Sequence, residues 1–302
     1  MIISASRRTD IPAFHSEWFM ERIRSGYAMV RNPVAEDVVY RVDLKPENVD
    51  CLSLISKNPK PIEKYLDELR ESYEILFQIT VNPYGVDTEP NVPDMDDVID
   101  SFIRISDILG KGHVMWRYDP VIFNDEYDID FHRKSFDYIS DRLKGHTDRC
   151  IFSFLSIYDK IIHVRGLRPV SDSEKDAFMK SVREISVRDN IEMSSCCFSA
   201  EKYGIARRGC TDGKLLKSLG IPFDPKLSHY RDGCLCVRSI DVGAYDTCMH
   251  CCTYCYANDP DGRKRSSAQY DVHSEMLNDS PKDTDRVIEL GSRINRRITD
   301  FV

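Results

Sequence analysis

Short apolar runs rich in β-branched residues alternate along the chain with longer segments whose apolar residues recur every three or four positions. The runs lie at Ile2–Ala5, Cys51–Ile55, Ile75–Val81, His113–Trp116, Cys150–Ile157, Ile191–Phe198 and Leu235–Val242. Each reads as a buried strand. Between them, Ile62, Tyr65, Leu66 and Leu69 fall at i, i+3, i+4 and i+7. Val98, Phe102, Ile105 and Leu109 keep a helical spacing, as do Phe131, Ser135, Ile139 and Leu143, and then Phe178, Val182 and Ile185. Most strand starts are roughly 40 residues apart, above the ~30 that a βαβ unit needs. Seven such runs in 302 residues predict an α/β fold. A TIM-like (β/α) barrel, complete or partial, fits them better than a short open sheet. Residues 1–258 form one barrel domain in this reading. Residues 259–302 form an excursion and a final helix over Asp285 to Ile298, packed on the barrel.

Composition narrows the function classes. With 41% hydrophobic and 30% charged residues, 14 Gly and 14 Pro, the chain is neither disordered nor fibrous. No apolar run approaches the ~20 residues of a membrane span. The start, Met1 to Arg8, lacks a signal peptide's order of segments, so the expected compartment is the cytoplasm. Forty-two Lys and Arg against fifty Asp and Glu give a net charge of −8, which argues against bulk nucleic-acid binding. Basic clusters at Arg263-Lys264-Arg265 and along Arg286, Arg293, Arg296 and Arg297 read as solvated faces or as a docking site for an anionic partner.

In a barrel, function gathers where the strands end. Arg7, Arg8, Thr9 and Asp10 follow the first predicted strand. Lys57, Asn58 and Pro59 follow the second, Asn82, Pro83 and Tyr84 the third, Arg117, Tyr118 and Asp119 the fourth, and Cys196 and Cys197 close the sixth. Together they predict a shared polar pocket. Arg7, Arg8, Lys57 and Arg117 are candidate anion clamps. Asp10 and Asp119 are candidates for hydroxyl binding or proton transfer. Salt bridges at the rim are the competing reading.

Eleven cysteines in a reducing compartment call for something other than disulfides. Cys51 and Cys150 sit inside apolar runs and read as core residues. Cys248, Cys252 and Cys255 form C-x3-C-x2-C. Three thiolates on one loop can hold three irons of a [4Fe–4S] cube and leave the fourth open. Zinc, which usually needs four ligands in a closed site, and a simple thiol cluster are the alternatives. Tyr254, Tyr256 and Asn258 stand beside Cys255 as candidate cofactor contacts, although packing alone also accounts for the tyrosines. Cys196, Cys210, Cys234 and Cys236 could meet at the same rim. They read as a second cluster or a zinc site, as the source of a fourth ligand to the first cluster, or as separately packed thiols.

The stretch from Cys248 to Ala257 resembles the cluster loop of radical S-adenosylmethionine enzymes, most closely the spore photoproduct lyase-like branch. Members read C-x-H-G-C-x-Y-C-Y-A, and Cys248, His250, Cys252, Tyr254, Cys255, Tyr256 and Ala257 match. The whole chain resembles the bacterial and archaeal family of domain of unknown function 1848. The resemblance runs through Met1–Pro12, Lys57-Asn58-Pro59, Trp116–Pro120 and Ser239–Asn258. It implies a radical-enzyme-like cluster and carries no established reaction. Cys251 stands where the pattern usually has Gly, and His273-Ser274-Glu275 where it often has a His-Asp-Pro-like segment. No Gly-Gly-Glu segment of the kind that holds the cofactor's amino group is present. In radical enzymes the cysteine loop follows the first barrel strand, whereas here it follows the last predicted one. A circular permutation placing Leu235–Val242 first and Ile2–Ala5 second reconciles the two.

Three functions follow as expectations. The first is a radical-type enzyme whose open iron chelates S-adenosylmethionine, generating a 5′-deoxyadenosyl radical that acts on a substrate left open, a small molecule or one of unknown class. An electron donor such as a ferredoxin or flavodoxin would serve it. The second is a barrel enzyme or electron carrier with a fully ligated cluster and no S-adenosylmethionine. The third is a zinc-stabilised binding module.

Overall fold

The computed structural model describes residues 1–228, 230–259 and 269–291. Eight parallel strands form the main sheet. In chain order they are β1 (Ile2–Ala5), β4 (Cys51–Ser56), β5 (Ile75–Thr80), β6 (Val114–Val121), β7 (Arg149–Phe154), β8 (Glu192–Ser195), β9 (Ala206–Arg207) and β10 (Ile240–Asp241). A second sheet holds β2 (Tyr27–Arg31), β3 (Val38–Asp43) and β11 (Arg286–Leu290). The helices are α1 (Ile11–Phe14), α2 (Ser16–Ser25), α3 (Lys60–Glu63), α4 (Leu66–Arg70), α5 (Met95–Leu109), α6 (Ile129–Leu143), α7 (Asp172–Asp189) and α8 (Gly213–Ser218).

All six residues of β5 are buried. A parallel strand covered on both faces must read as a continuous apolar run, and this one does. The helices start where side chains can cap them. Asp128 accepts from the Phe131 N–H at the head of α6, and Ser171 with Glu174 forms a capping box on α7. Between helices and sheet lies one large core, anchored by Trp18, Phe77, Phe102, Trp116, Phe136 and Phe178. Cys51 and Cys150 are buried within the molecule.

The sheet runs β10-β1-β4-β5-β6-β7-β8-β9. Thus β10, nearly 240 residues downstream, lies at an edge beside β1, with Ile3 opposite Ile240 and Ser4 opposite Asp241. Among the described residues β9 and β10 are the two edges and do not pair. The architecture shown is therefore a mixed α/β fold around an eight-stranded parallel sheet. Also among the described residues, no helix is long and apolar enough to cross a membrane.

Several expectations need correcting. The predicted strand Leu235–Val242 is extended in the sheet only at Ile240–Asp241. Its first half turns away because the Val237 N–H is used by the Thr211 carbonyl. The predicted final helix over Asp285 to Ile298 begins as a strand. Arg286–Leu290 pairs in parallel with Val38–Val42, and the open edge of β3 supplies backbone partners that outweigh local helical spacing. Residues 292–302, with Arg293, Arg296 and Arg297, lie outside the described residues, as do Arg263, Lys264 and Arg265. The β2–β3 hairpin was not foreseen. Arg31 ties it to the later segment through Asp279 at 2.6 Å and Asp285 at 2.7 Å.

Candidate functional site

A cavity of about 570 Å³ opens at the carboxyl ends of the main strands. Arg7, Arg8 and Asp10 enter it after β1, Lys57 after β4, and Arg117 and Asp119 from the end of β6. Cys248, Cys252, Tyr254, Cys255, Tyr256 and Asn258 arrive on the loop after β10, and Cys196, Cys210, Cys234 and Cys236 complete the wall. The candidate clamps, acids, cofactor contacts and spaced cysteines all line this one space, whose volume suits a cofactor with a small substrate. Of the other strand-end residues only Thr9 does; Asn58, Pro59, Asn82, Pro83, Tyr84, Tyr118 and Cys197 lie outside its wall.

Buried charges here are paired. Lys57 Nζ lies 2.8 Å from Glu89 Oε1, and Glu89 also accepts from Asn82 Nδ2 at 3.1 Å and from the Tyr254 hydroxyl. Burial pushes the Glu89 carboxyl up. Lys57 and the hydrogen bonds from Lys57, Tyr254 and Asn82 pull it further down, leaving it below the ordinary carboxylate range. Arg117 donates to Gln78 at 3.1 Å and to Asp119, which also accepts from Ser153. Arg7 donates to Ser239 at 2.9 Å, faces Asp241 at 3.5 Å and stacks 3.8 Å over the Tyr230 ring. Asp10 caps α1 through Ala13 N–H at 3.0 Å, and its other oxygen receives the Lys57 N–H and faces His250 Nε2, each at 2.8 Å. It fastens three segments together. Tyr158, Tyr230, Tyr245 and Tyr256 are exposed around the mouth of the cavity.

The C-x3-C-x2-C thiols lie within electrostatic range of one another. Burial, then the nearby Asp10, pushes the Cys248 thiol up to about 12. Burial also lifts Cys252 well above the ordinary thiol value, against the pull of Lys57. Cys255 Sγ accepts from Ala257 N–H at 3.4 Å and Asn258 Nδ2 at 3.7 Å. Asn258 Oδ1 and Thr9 Oγ1, both buried, have no partner. Cys251, by contrast, takes a left-handed φ of +61° and does not line the cavity.

A second group of thiols forms a ring. Cys196 Sγ is 3.4 Å from Cys197 and 3.8 Å from Cys210. Cys210 also engages Cys236, Cys236 engages Cys234, and Cys234 engages Cys197. Arg231 Nε donates to Cys197 at 2.8 Å and Nη2 to Cys196 at 3.4 Å. Hydrogen bonds from Cys196 and Cys236 hold the Cys210 thiol well below the ordinary range, assisted by Arg117 and Arg231, while Cys196 itself is raised. Among the described residues no three His, Cys, Asp or Glu side chains converge, as they stand, on a point where a metal ion would sit.

A family model described as Domain of unknown function (DUF1848) matches residues 2–257. The chain belongs to that family. Comparison with curated proteins finds no match. Among solved structures, Rhizobium etli pyruvate carboxylase T882A with the allosteric activator acetyl coenzyme-A is similar at 9% identity and TM-score 0.32, covering 78% of this chain and 23% of that one. The carboxyl transferase domain of the same enzyme, with pyruvate and biocytin, is similar at 11% identity and TM-score 0.30, covering 72% and 43%. This DUF1848 chain thus spans less than half of those chains, and neither likeness decides its fold or activity.

Sequence reasoning placed Cys197 at the end of the sixth strand but not in the thiol group, and it missed Arg231, Glu89 and the tyrosine rim apart from Tyr256. The Cys196-Cys197 pair and the run Arg231-Asp232-Gly233-Cys234 were visible signals for the ring. Glu89 carried none, since only the fold brings it to Lys57.

Proposed function

We propose that this DUF1848 protein is an iron–sulfur enzyme of the radical S-adenosylmethionine type, working in the cytoplasm. The observation that carries the reading is the C-x3-C-x2-C loop facing, in one cavity, all the charged residues from the strand ends. The donor set fits the group. Cys248, Cys252 and Cys255 would hold three irons of a [4Fe–4S] cluster, with N–H groups of Ala257 and Asn258 directed at one of the sulfurs. The unpartnered Asn258 Oδ1 and Thr9 Oγ1 offer acceptors to a cofactor ammonium, compensating for the missing Gly-Gly-Glu segment.

When bound and reduced by a ferredoxin- or flavodoxin-like donor, the cluster with S-adenosylmethionine supplies a carbon radical for hydrogen abstraction. The chain's own contribution is orientation and exclusion of water. Lys57 and Glu89 fix Tyr254 beside the thiols, and Asp10 with His250 fixes the loop entrance. Arg8, whose Nη1 reaches the Gly243 carbonyl at 3.3 Å, has no carboxylate within ion-pair distance among the described residues and is left to meet an anionic group on a small-molecule substrate. We further propose a partial barrel permuted relative to radical enzymes. The placement of β10 beside β1 supports it, because the cysteine loop then follows the first strand in sheet order. All eleven cysteines are free, which suits a reducing compartment.

The test is anaerobic isolation with iron and sulfide analysis, then electron paramagnetic resonance of the reduced protein with and without S-adenosylmethionine. A [4Fe–4S] signal altered by S-adenosylmethionine is expected, together with loss of iron in Cys252→Ala. A signal indifferent to S-adenosylmethionine would replace this reading with a fully ligated electron-transfer or structural cluster. Full iron in Cys252→Ala would refute the ligand assignment.

A further inference from the structure

The thiol ring occupies a particular place in the sheet. Cys196 and Cys197 follow β8, Cys210 follows β9, and Cys234 and Cys236 precede β10. The sulfurs therefore lie at the seam between the two unpaired edges of the eight-stranded row. Backbone crossings hold the seam as well. Val237 N–H donates to the Thr211 carbonyl at 3.0 Å. Two glycines permit the approach of the three loops: a Cβ on Gly209 would sit 2.6 Å from the Leu235 carbonyl oxygen, and one on Gly233 2.4 Å from that of Cys197. Real Cβ atoms do not tolerate such distances, so these glycines set the thiol-bearing backbones against one another.

We propose that Cys196, Cys210, Cys234 and Cys236 bind one zinc ion, which joins β9 to β10 across the seam. Zinc takes four thiolates in a closed tetrahedron at about 2.3 Å, which places neighbouring sulfurs about 3.8 Å apart. Cys196 and Cys210 already stand at 3.8 Å. A [4Fe–4S] cube needs its thiolates spread over separate irons, so sulfurs in contact suit a single ion. Binding releases the thiol protons and leaves a site of net charge −2, which Arg117 and Arg231, both lining the cavity, offset. Cys197, unlike the other four, does not line the cavity, so it is left out of the ligand set. As they stand the four sulfurs do not meet on one point, and binding draws them together. The proposal stands apart from the C-x3-C-x2-C loop and does not depend on it.

The experiment is metal analysis of the full chain produced with zinc available, on wild type, Cys236→Ala, Cys197→Ala and Cys252→Ala. About one zinc per chain is expected in wild type, Cys197→Ala and Cys252→Ala, with at least a fivefold loss in Cys236→Ala. Loss of iron in Cys252→Ala with zinc retained separates the two sites. Wild type without zinc, zinc undiminished in Cys236→Ala, or zinc lost in Cys197→Ala overturns the assignment. Should Cys236→Ala not fold, cobalt(II) added to wild type decides. Intense visible bands of a tetrahedral tetrathiolate support the site, and their absence overturns it.

Discussion

Replacing Glu89 by Ala removes the acceptor of three hydrogen bonds and strands the Lys57 ammonium. The Glu89 side chain is 2% exposed and that of Lys57 17%, so water replaces the lost partner only in part. Breaking a buried ion pair from one side costs about 3–5 kcal/mol. At 2–4 °C per kcal/mol for a domain approaching this size, the melting temperature should fall by about 10 °C. The double variant Lys57→Met with Glu89→Leu removes both charges. It should recover about half of that loss, the remainder reflecting the unpaired Tyr254 hydroxyl and Asn82 amide. Urea unfolding of wild type, Lys57→Met, Glu89→Leu and the double variant gives the coupling energy, expected above about 2 kcal/mol. The sign with pH is also set. The folded Glu89 carboxyl lies below its ordinary value, so its contribution is complete above about pH 4.3 and is lost as pH falls through the depressed value. The gap between wild type and Glu89→Ala should therefore be flat from neutral pH down to about 5 and narrow only in stronger acid. Single effects that simply add, with coupling under about 0.5 kcal/mol, would refute the argument that Lys57 and Glu89 form one unit under the cysteine loop.

Other consequences follow from buried histidine, strained backbone and close glycine contacts. His132, bonded to the Tyr118 hydroxyl at 2.8 Å and the Ile122 carbonyl at 2.7 Å, is lowered to about 4 by burial. Its neutral form belongs to the folded state, so stability should fall as pH drops from about 6.5 towards 4, and equilibrium unfolding of His132→Gln should lose that slope. Cys251→Gly relieves a left-handed residue and should raise stability by about 0.5–1 kcal/mol, with iron content unchanged; a clear loss of either measured quantity would contradict the geometry. Gly233→Ala drives a Cβ into the Cys197 carbonyl and should cost about 3 kcal/mol, read by thermal unfolding; a neutral effect would mean the loops are not in contact.

Six strands of the main sheet, β1 and β4 to β8, were legible because parallel strands buried on both faces leave continuous apolar runs, as Ile75–Thr80 does; β9, two residues long at Ala206–Arg207, was not. Helices α5, α6 and α7 were legible by their spacing. The second sheet was not, since Arg286–Leu290 has a mixed surface pattern and becomes a strand only by meeting β3. The Leu235–Val242 run misled for a related reason: Cys236 and Val237 are buried against the seam rather than in a ladder. For the site, residues after strand ends and spaced cysteines could be picked out one by one. Which charges neutralise which could not, because Lys57 and Glu89, or Arg7 and Asp241, are brought together only by tertiary structure.

The pairing of β10 with β1 also fixes an order of events during synthesis. At about 5–20 residues per second, a ribosome takes roughly 10–50 s to travel from β1 to the strand that completes its outer side. Throughout that interval one flank of Ile2–Ala5 presents unsatisfied backbone groups, the kind of edge that recruits other chains. Cys248, Cys252 and Cys255 emerge later still. The nascent protein thus carries a sticky flank that β10 alone among the described strands covers, and the three cysteines of the C-x3-C-x2-C loop come together only after that flank is synthesised.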